Sequence, residues 1–129
     1  MTAVDTNVLV RVITWDDKAQ AERAVAFLEA QDRVFVTKTV LLEVEWVLRS
    51  GYRYSAQQIL SAVRALLNMK NVEVEDEVAV AHAMNWYEQG MDFADSFHVA
   101  SAGTYRFATF DVALQRRARH AGIDKIALL

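Results

Sequence analysis

Cysteine and proline are both absent from the 129-residue chain, and only four residues are glycine. Without cysteine, a disulfide framework and thiolate metal sites are excluded. The shortage of proline and glycine argues against a loop-rich chain and favours helices and buried strands. A hydrophobic fraction of 53% and a charged fraction of 24% exclude disorder by composition. We therefore expect one domain spanning residues 1–129.

Long uncharged apolar stretches are also lacking. No run reaches the roughly 18 residues that a membrane-spanning helix needs. The first residues carry Asp5 and no basic segment before the apolar run, so no signal peptide is predicted. From these two observations we expect a cytoplasmic protein with no membrane partner.

The net charge of −3 argues mildly against a nucleic-acid binder, because such proteins are usually basic. The charges are nevertheless segregated along the chain. Residues 71–105 contain no Lys or Arg, whereas residues 106–125 contain more basic than acidic residues. This segregation leaves room for a basic face.

Short apolar runs alternate with helical patterns along the chain. Strands are predicted at Thr2–Val4, 34–36, 72–74, 107–109 and 126–128, and helices at 18–30, 39–49, after Ser55, 76–89, 92–105 and 112–121. Gly51 is expected to end its helix in a left-handed conformation. The alternation predicts an α/β domain with a mostly parallel sheet.

Four carboxylates occupy unusual positions. Asp5 and Asp111 directly follow predicted strands, where ligands bind at the carboxyl edge of a parallel sheet. Asp95 lies in the first turn of its helix. Glu43 has Val40, Trp46 and Val47 as helical neighbours, which places it on an apolar face. Converging carboxylates repel one another unless a cation lies between them, and oxygen-only ligands favour Mg²⁺ or Mn²⁺.

Each carboxylate also has an ordinary structural interpretation. Asp111 is well placed to cap the helix that starts at Val112, and Asp92 and Asp95 have the spacing of a cap and a third helical position. Glu43 is compatible with a half-exposed position, and Glu45 is placed to pair with Arg49 one turn later. These alternatives remain open on spacing alone.

The sequence around these acids resembles the PIN-domain ribonucleases. The resemblance rests on four segments in order, namely Asp5-Thr6-Asn7-Val8-Leu9, Val40-Leu41-Leu42-Glu43, Asp92-Phe93-Ala94-Asp95-Ser96-Phe97-His98 and Thr109-Phe110-Asp111. Chain length and motif order are similar to the VapC-type toxins of type II toxin–antitoxin modules. The likeness covers nearly the whole chain. Many relatives have a proline near the start of the helix that carries the glutamate, where this chain has Thr37-Lys38.

The resemblance implies a fold, an activity and partners. The fold is a PIN-like three-layer α/β/α domain, and the activity is that of a Mg²⁺-dependent endoribonuclease, with Mn²⁺ as an alternative ion. The implied partners are an RNA substrate, a neutralising VapB-type antitoxin and a second copy of the chain in a homodimer. The antitoxin is expected in an apolar groove walled by helices 18–30 and 39–50.

The resemblance also assigns roles to residues. Asp5, Glu43, Asp95 and Asp111 become the catalytic acids, with Asp5 and Asp95 as direct metal ligands. Asp111 binds the metal directly or through water, and Glu43 orients or deprotonates the attacking water. Three further residues, Asn7, Asp92 and Thr109, support the carboxylates through hydrogen bonds.

Two other function classes compete with this interpretation. A Mg²⁺-binding signalling receiver needs an acidic pair after the first strand and a lysine after a late strand, whereas here only Asp5 follows the first strand and the only late lysine is Lys125. A non-catalytic PIN-like binding or autoregulatory module does not need the full set of acids. Four aromatic residues, Trp15, Trp46, Tyr52 and Tyr54, are candidates for stacking on bases or for the core.

Overall fold

The computed structural model describes all 129 residues as seven helices and five short strands. The strands are β1 (Thr2–Ala3), β2 (Val34–Val36), β3 (Val72–Val74), β4 (Phe107–Thr109) and β5 (Ile126–Leu128). The helices are α1 (Thr6–Thr14), α2 (Lys18–Ala30), α3 (Lys38–Ser50), α4 (Ala56–Leu67), α5 (Glu77–Glu88), α6 (Phe93–Ser101) and α7 (Val112–His120). No helix is long and apolar enough to cross a lipid bilayer.

The chain divides into two compact units, an N-terminal unit (Met1–Glu75) and a C-terminal unit (Asp76–Leu129). The N-terminal unit contains a parallel sheet in the order β1-β2-β3. The C-terminal unit contains the parallel pair β4-β5. All of these pairings are parallel, as the alternation of strands and helices predicts. The expectation that residues 1–129 form a single nuclease domain remains a prediction.

The core of the N-terminal unit is built from the apolar faces of its helices and from the central strand β2. Its most deeply buried side chains are Leu9, Val10, Leu28, Val34, Val36, Leu41, Val44, Leu48, Ile59, Leu60 and Val63. Each such side chain stabilises the fold by about 1.5–3 kcal/mol when it is fully buried. Predicted caps are present: the Asp17 carboxylate accepts from the Gln20 N–H at 3.0 Å, and Ser55 and Gln58 form a reciprocal capping box on α4.

The C-terminal unit has its own apolar cluster, formed by Met91, Val99, Leu114, Ala118 and Ile123. The rings of Tyr87, Phe93 and Phe97 add an aromatic group with centroid separations of 4.9 and 4.7 Å. The Lys125 ammonium donates hydrogen bonds to the carbonyls of Val99 and Gly103, where α6 ends. This cation stabilises the negative end of the helix.

Two local expectations were wrong, and one helix was not predicted. The apolar run after Asp5 forms helix α1, because Asp5 caps it and because Leu9 and Val10 bury on one face. Helix α6 ends at Ser101 rather than near Tyr105, since Gly103 turns left-handed at φ 61° and Lys125 takes the terminal carbonyls. Gly51 is right-handed at φ −89°; the left-handed residue comes at Arg53 instead.

Candidate active site

Asp5 lies where β1 gives way to α1. Its side chain accepts a hydrogen bond from the Thr6 N–H at 2.8 Å and so caps the helix. The carboxylate is exposed, while the preceding Val4 is buried. Because the Asp5 carboxylate is exposed at the N-terminus of a helix, it is available to a ligand from solvent.

Glu43 projects from the exposed side of α3. Its carboxylate accepts a hydrogen bond from the Thr6 hydroxyl. Thr6 itself is only 3% exposed, so its side chain is held in one place by packing. One buried threonine therefore contacts both candidate catalytic carboxylates of the N-terminal unit, Asp5 through its backbone N–H and Glu43 through its hydroxyl.

The apolar surroundings predicted for Glu43 are wrong. Trp46 is 58% exposed, and Glu43 is itself exposed. The buried carboxylate of α3 is Glu45, which accepts from the Arg49 guanidinium at 2.9 Å, as the spacing of the two residues allows. The helix therefore separates a structural acid from a solvent-facing one two residues away.

Three aspartates cluster electrostatically in the C-terminal unit. Asp92 caps α6 by accepting from the Asp95 N–H at 3.1 Å, and Asp111 caps α7 by accepting from the Leu114 N–H at 3.0 Å. Partial burial raises the pKa of Asp95, and the charges of Asp92 and Asp111 raise it further. His98 and Arg117 oppose this shift of the Asp95 pKa.

The expected supporting residues behave differently from one another. The Thr109 hydroxyl accepts from the Asp111 N–H at 3.0 Å, so it fixes the backbone of Asp111 rather than its carboxylate. Asp92 contacts the Asp95 backbone, as the capping interpretation predicts. Asn7 is exposed on α1. The residue that sequence reasoning missed is Thr6, although its spacing from Leu9 and Val10, at i+3 and i+4, would have shown that it faces the core.

The exposure of the aromatic candidates is now clear. Trp15 is 48% exposed, so with Trp46 it lies outside the core. Tyr52 is half-buried, and its hydroxyl donates to Asp16, which also accepts from Arg11 at 3.1 Å. The two tryptophans remain accessible to a ligand, whereas Tyr52 has a structural partner.

The carboxylates of the candidate site fit a metal ion in chemical type but are not grouped closely around one point. No group of three or more His, Cys, Asp or Glu side chains is arranged tightly enough to hold one. The donors at the candidate site are carboxylate oxygens, and burial together with the negative charges of Asp92 and Asp111 raises the pKa of Asp95. Hard divalent cations prefer this donor chemistry and relieve this kind of repulsion. The residues therefore fit such an ion in donor type.

The sequence of this chain matches the PIN domain family over residues 2–120. The chain thus belongs to the PIN domain family, and its α/β elements with parallel strand pairing are those of the PIN fold. The resemblance drawn from the four acidic segments is confirmed at this level.

Among solved structures, the chain is similar to the crystal structure of Mycobacterium tuberculosis VapC20, described as a sarcin-ricin loop cleaving toxin. The two share 19% sequence identity over 97% of this chain and 98% of that chain, with a TM-score of 0.47. Comparison with curated proteins finds no match.

Proposed function

We propose that this protein is a metal-dependent endoribonuclease whose reaction is carried by Asp5, Glu43, Asp95 and Asp111. The observation that supports the proposal most directly is the match to the PIN domain family, in a chain where the exposed carboxylates of Asp5 and Glu43 are held by hydrogen bonds from Thr6 and where burial, and then the charges of Asp92 and Asp111, raise the pKa of Asp95. Carboxylates whose charges disfavour one another are typical of a site that a cation occupies.

Glu43 is the proposed general base. It is exposed to solvent, and the Thr6 hydroxyl limits the positions that its carboxylate can take. In the reaction, a water oxygen forms a bond to phosphorus while the bond from phosphorus to one ribose oxygen breaks. Glu43 accepts the proton of the water, and the departing ribose oxygen gains a proton from solvent.

The family resemblance assigns Mg²⁺, or Mn²⁺, to Asp5 and Asp95 as direct ligands, with Asp111 binding directly or through water. Such an ion supplies positive charge that stabilises the phosphate and acidifies the attacking water. Asp92 and Thr109 serve this arrangement by fixing the backbone at Asp95 and Asp111. Asn7, exposed two residues after Asp5, is proposed to hydrogen-bond the carboxylates.

The activity is tested with a mixed pool of single-stranded RNA, incubated with Mg²⁺, with Mn²⁺ or with a chelator. We expect cleavage inside the strands with either ion and none with the chelator. An Asp5→Asn variant should lose cleavage and bind Mg²⁺ more weakly by calorimetry. Unchanged Mg²⁺ binding in this variant would remove Asp5 from the ligand set, and metal-independent cleavage by the wild type would overturn the mechanism.

We further propose that the protein acts as a VapC-type toxin held in check by a VapB-type antitoxin, and that it forms a homodimer. Support comes from a groove between α1 and α2. The side chains of Val8 and Phe27 line it with apolar surface, and Val8 is close in sequence to Asp5. The polar rim of the groove includes Arg11 and Arg23. The groove lies between α2, which is one of the two expected walls, and α1, and the helix at 39–50 contributes no lining residue to it.

Expression in bacteria tests the toxin role. The wild-type chain alone should arrest growth, an Asp5→Ala variant should not, and co-expression of the neighbouring small gene should restore growth. A soluble, well-expressed wild-type chain that leaves growth unaffected would contradict the toxin role and leave a housekeeping nuclease or a non-catalytic PIN module.

A further inference from the structure

Phe110 is the most exposed large apolar residue in the protein, with 80% of its surface open to solvent. Single exposed apolar residues are common on protein surfaces and need no explanation by themselves. What distinguishes Phe110 is its place, directly between the end of β4 and the Asp111 cap of α7. The next residue after Asp111, Val112, is also exposed at 54%. Exposed apolar side chains thus flank a candidate catalytic carboxylate on both sides.

The backbone on both sides of Phe110 is fixed. On one side the Thr109 carbonyl accepts from the Leu129 N–H at 2.9 Å. On the other, the Asp111 N–H donates to the Thr109 hydroxyl at 3.0 Å, and Asp111 is itself tied to Leu114. The ring is therefore presented from a rigid turn, so a ligand that stacks on it need not order the backbone first.

The charged residues that follow Phe110 in the chain, Asp111 and Arg117, are of the kinds that engage a nucleotide: a carboxylate for a metal ion and a guanidinium for a phosphate. The charge of Asp111 raises the pKa of the Asp95 carboxyl group, and the charge of the Arg117 guanidinium lowers it. Arg117 is exposed on α7, where a phosphate oxygen can reach it. Phe110 precedes the cap of α7, and Arg117 lies on that helix, so one segment of the chain offers an aromatic face for a base and a guanidinium for a phosphate.

On these grounds we propose that Phe110 is a substrate-binding residue, which stacks on an unpaired base next to the phosphate that is cut. The proposal rests on the endoribonuclease function proposed above and adds a residue that determines which RNA can bind. A base in a duplex is already stacked on both faces and does not offer itself to the ring, so Phe110 discriminates in favour of unpaired nucleotides.

The test compares three variants with the wild type. Phe110→Leu keeps an apolar side chain but removes the aromatic face, and Phe110→Tyr keeps the face. Tyr105→Leu is the matched control, because Tyr105 is 79% exposed and lies before β4, at the opposite end from Phe110. The probes are a fluorescein-labelled single-stranded RNA of mixed sequence and the same strand annealed to its complement. Binding is measured by anisotropy with Ca²⁺, and cleavage with Mg²⁺.

We expect Phe110→Leu to weaken single-strand binding about tenfold, the scale of one lost stacking contact. Phe110→Tyr and Tyr105→Leu should bind as the wild type does, and the duplex should bind all four proteins equally weakly. Mg²⁺ binding by Phe110→Leu, measured by calorimetry, should be unchanged, which separates stacking from damage to the carboxylates.

Equal RNA binding by Phe110→Leu and the wild type would overturn the stacking role while leaving the nuclease function intact if cleavage persists. The same result accompanied by a change in oligomeric state would assign Phe110 to a protein interface. A wild-type protein that neither binds nor cleaves RNA would overturn both the inference and the proposed function.

Discussion

The N-terminal and C-terminal units hold their candidate catalytic acids in opposite ways. In the N-terminal unit, Asp5 and Glu43 are each paired with a donor on Thr6. In the C-terminal unit, partial burial and then the like charges of Asp92 and Asp111 raise the pKa of Asp95. The first arrangement fixes geometry, and the second leaves negative charge to be neutralised. We infer that hydrogen bonds set the positions of the N-terminal acids, whereas the repulsion among the C-terminal acids favours binding of a cation.

The strongest test of this contrast is Glu43→Gln, which keeps the shape of the side chain and removes its ability to take a proton. Cleavage should fall about 100-fold or more, the scale of general base catalysis. Thermal stability and RNA binding should remain, because Glu43 is exposed. The same substitution at Glu29, an exposed glutamate of α2, is the control and should leave the rate unchanged. An active Glu43→Gln protein would return Glu43 to a structural role.

A smaller effect is expected at Thr6, where the hydroxyl is a positioning group. Thr6→Val removes the contact to Glu43 and keeps the backbone N–H that holds Asp5. Cleavage should fall about 10- to 100-fold, as is typical for groups that orient a catalytic carboxylate. Thr6→Ser restores the hydroxyl and should recover most of the rate. Equal rates for the valine and serine variants would show that Glu43 is oriented by something else.

The smallest effect concerns stability and pH. Because the pKa of Asp95 is raised in the folded protein above its ordinary value of 3.8, the folded state holds this proton more tightly than the unfolded state does. The stabilisation is therefore full below 3.8 and is lost as the pH rises through the folded pKa. The Asp95→Asn variant does not lose this stabilisation, because its side chain carries no titrating carboxyl group. Its free energy of unfolding, relative to that of the wild type, should increase over that window by less than about 1 kcal/mol because solvent screens the charge.

Chemical denaturation in a chelator at several pH values measures this difference. Asp124→Asn, at an exposed aspartate in the same unit, is the matched control. Added Mg²⁺ should stabilise the wild type and reverse its order with Asp95→Asn. A pH-independent difference between the wild type and Asp95→Asn would contradict the repulsion that distinguishes the C-terminal unit.

Most elements of the fold could be predicted because their signals are local. The β-branched run at 34–36 and the cap at Ser55 act within a few residues, and both are present where expected. Helix α1 was not predicted, because the β-branched residues Val8, Val10 and Val12 have a higher propensity for strands than for helices. Its helical state depends on the Asp5 cap and on burial of Leu9, and burial is a tertiary effect.

The positions of two candidate acids at strand ends could be predicted, but the contacts around the acids could not. Asp5 and Asp111 could be located because they follow strands, and the structure confirms those strands. The contact between Thr6 and Glu43 joins residues 37 positions apart, and no local pattern carries such information. The distinction between Glu43 and Glu45 likewise depends on the neighbours against which α3 packs.

The hydrogen bonds of Lys125 determine which parts of the C-terminal unit unfold together in local opening. Its backbone carbonyl accepts from the Phe107 N–H at 2.9 Å, and its ammonium reaches the carbonyls at the end of α6. One residue thereby couples the β4-β5 pair to the helix that carries Asp95 at its other end. The pair and the helix are expected to exchange their amide hydrogens as one cooperative segment, and any opening of that segment would displace Asp95 before the chain unfolds globally.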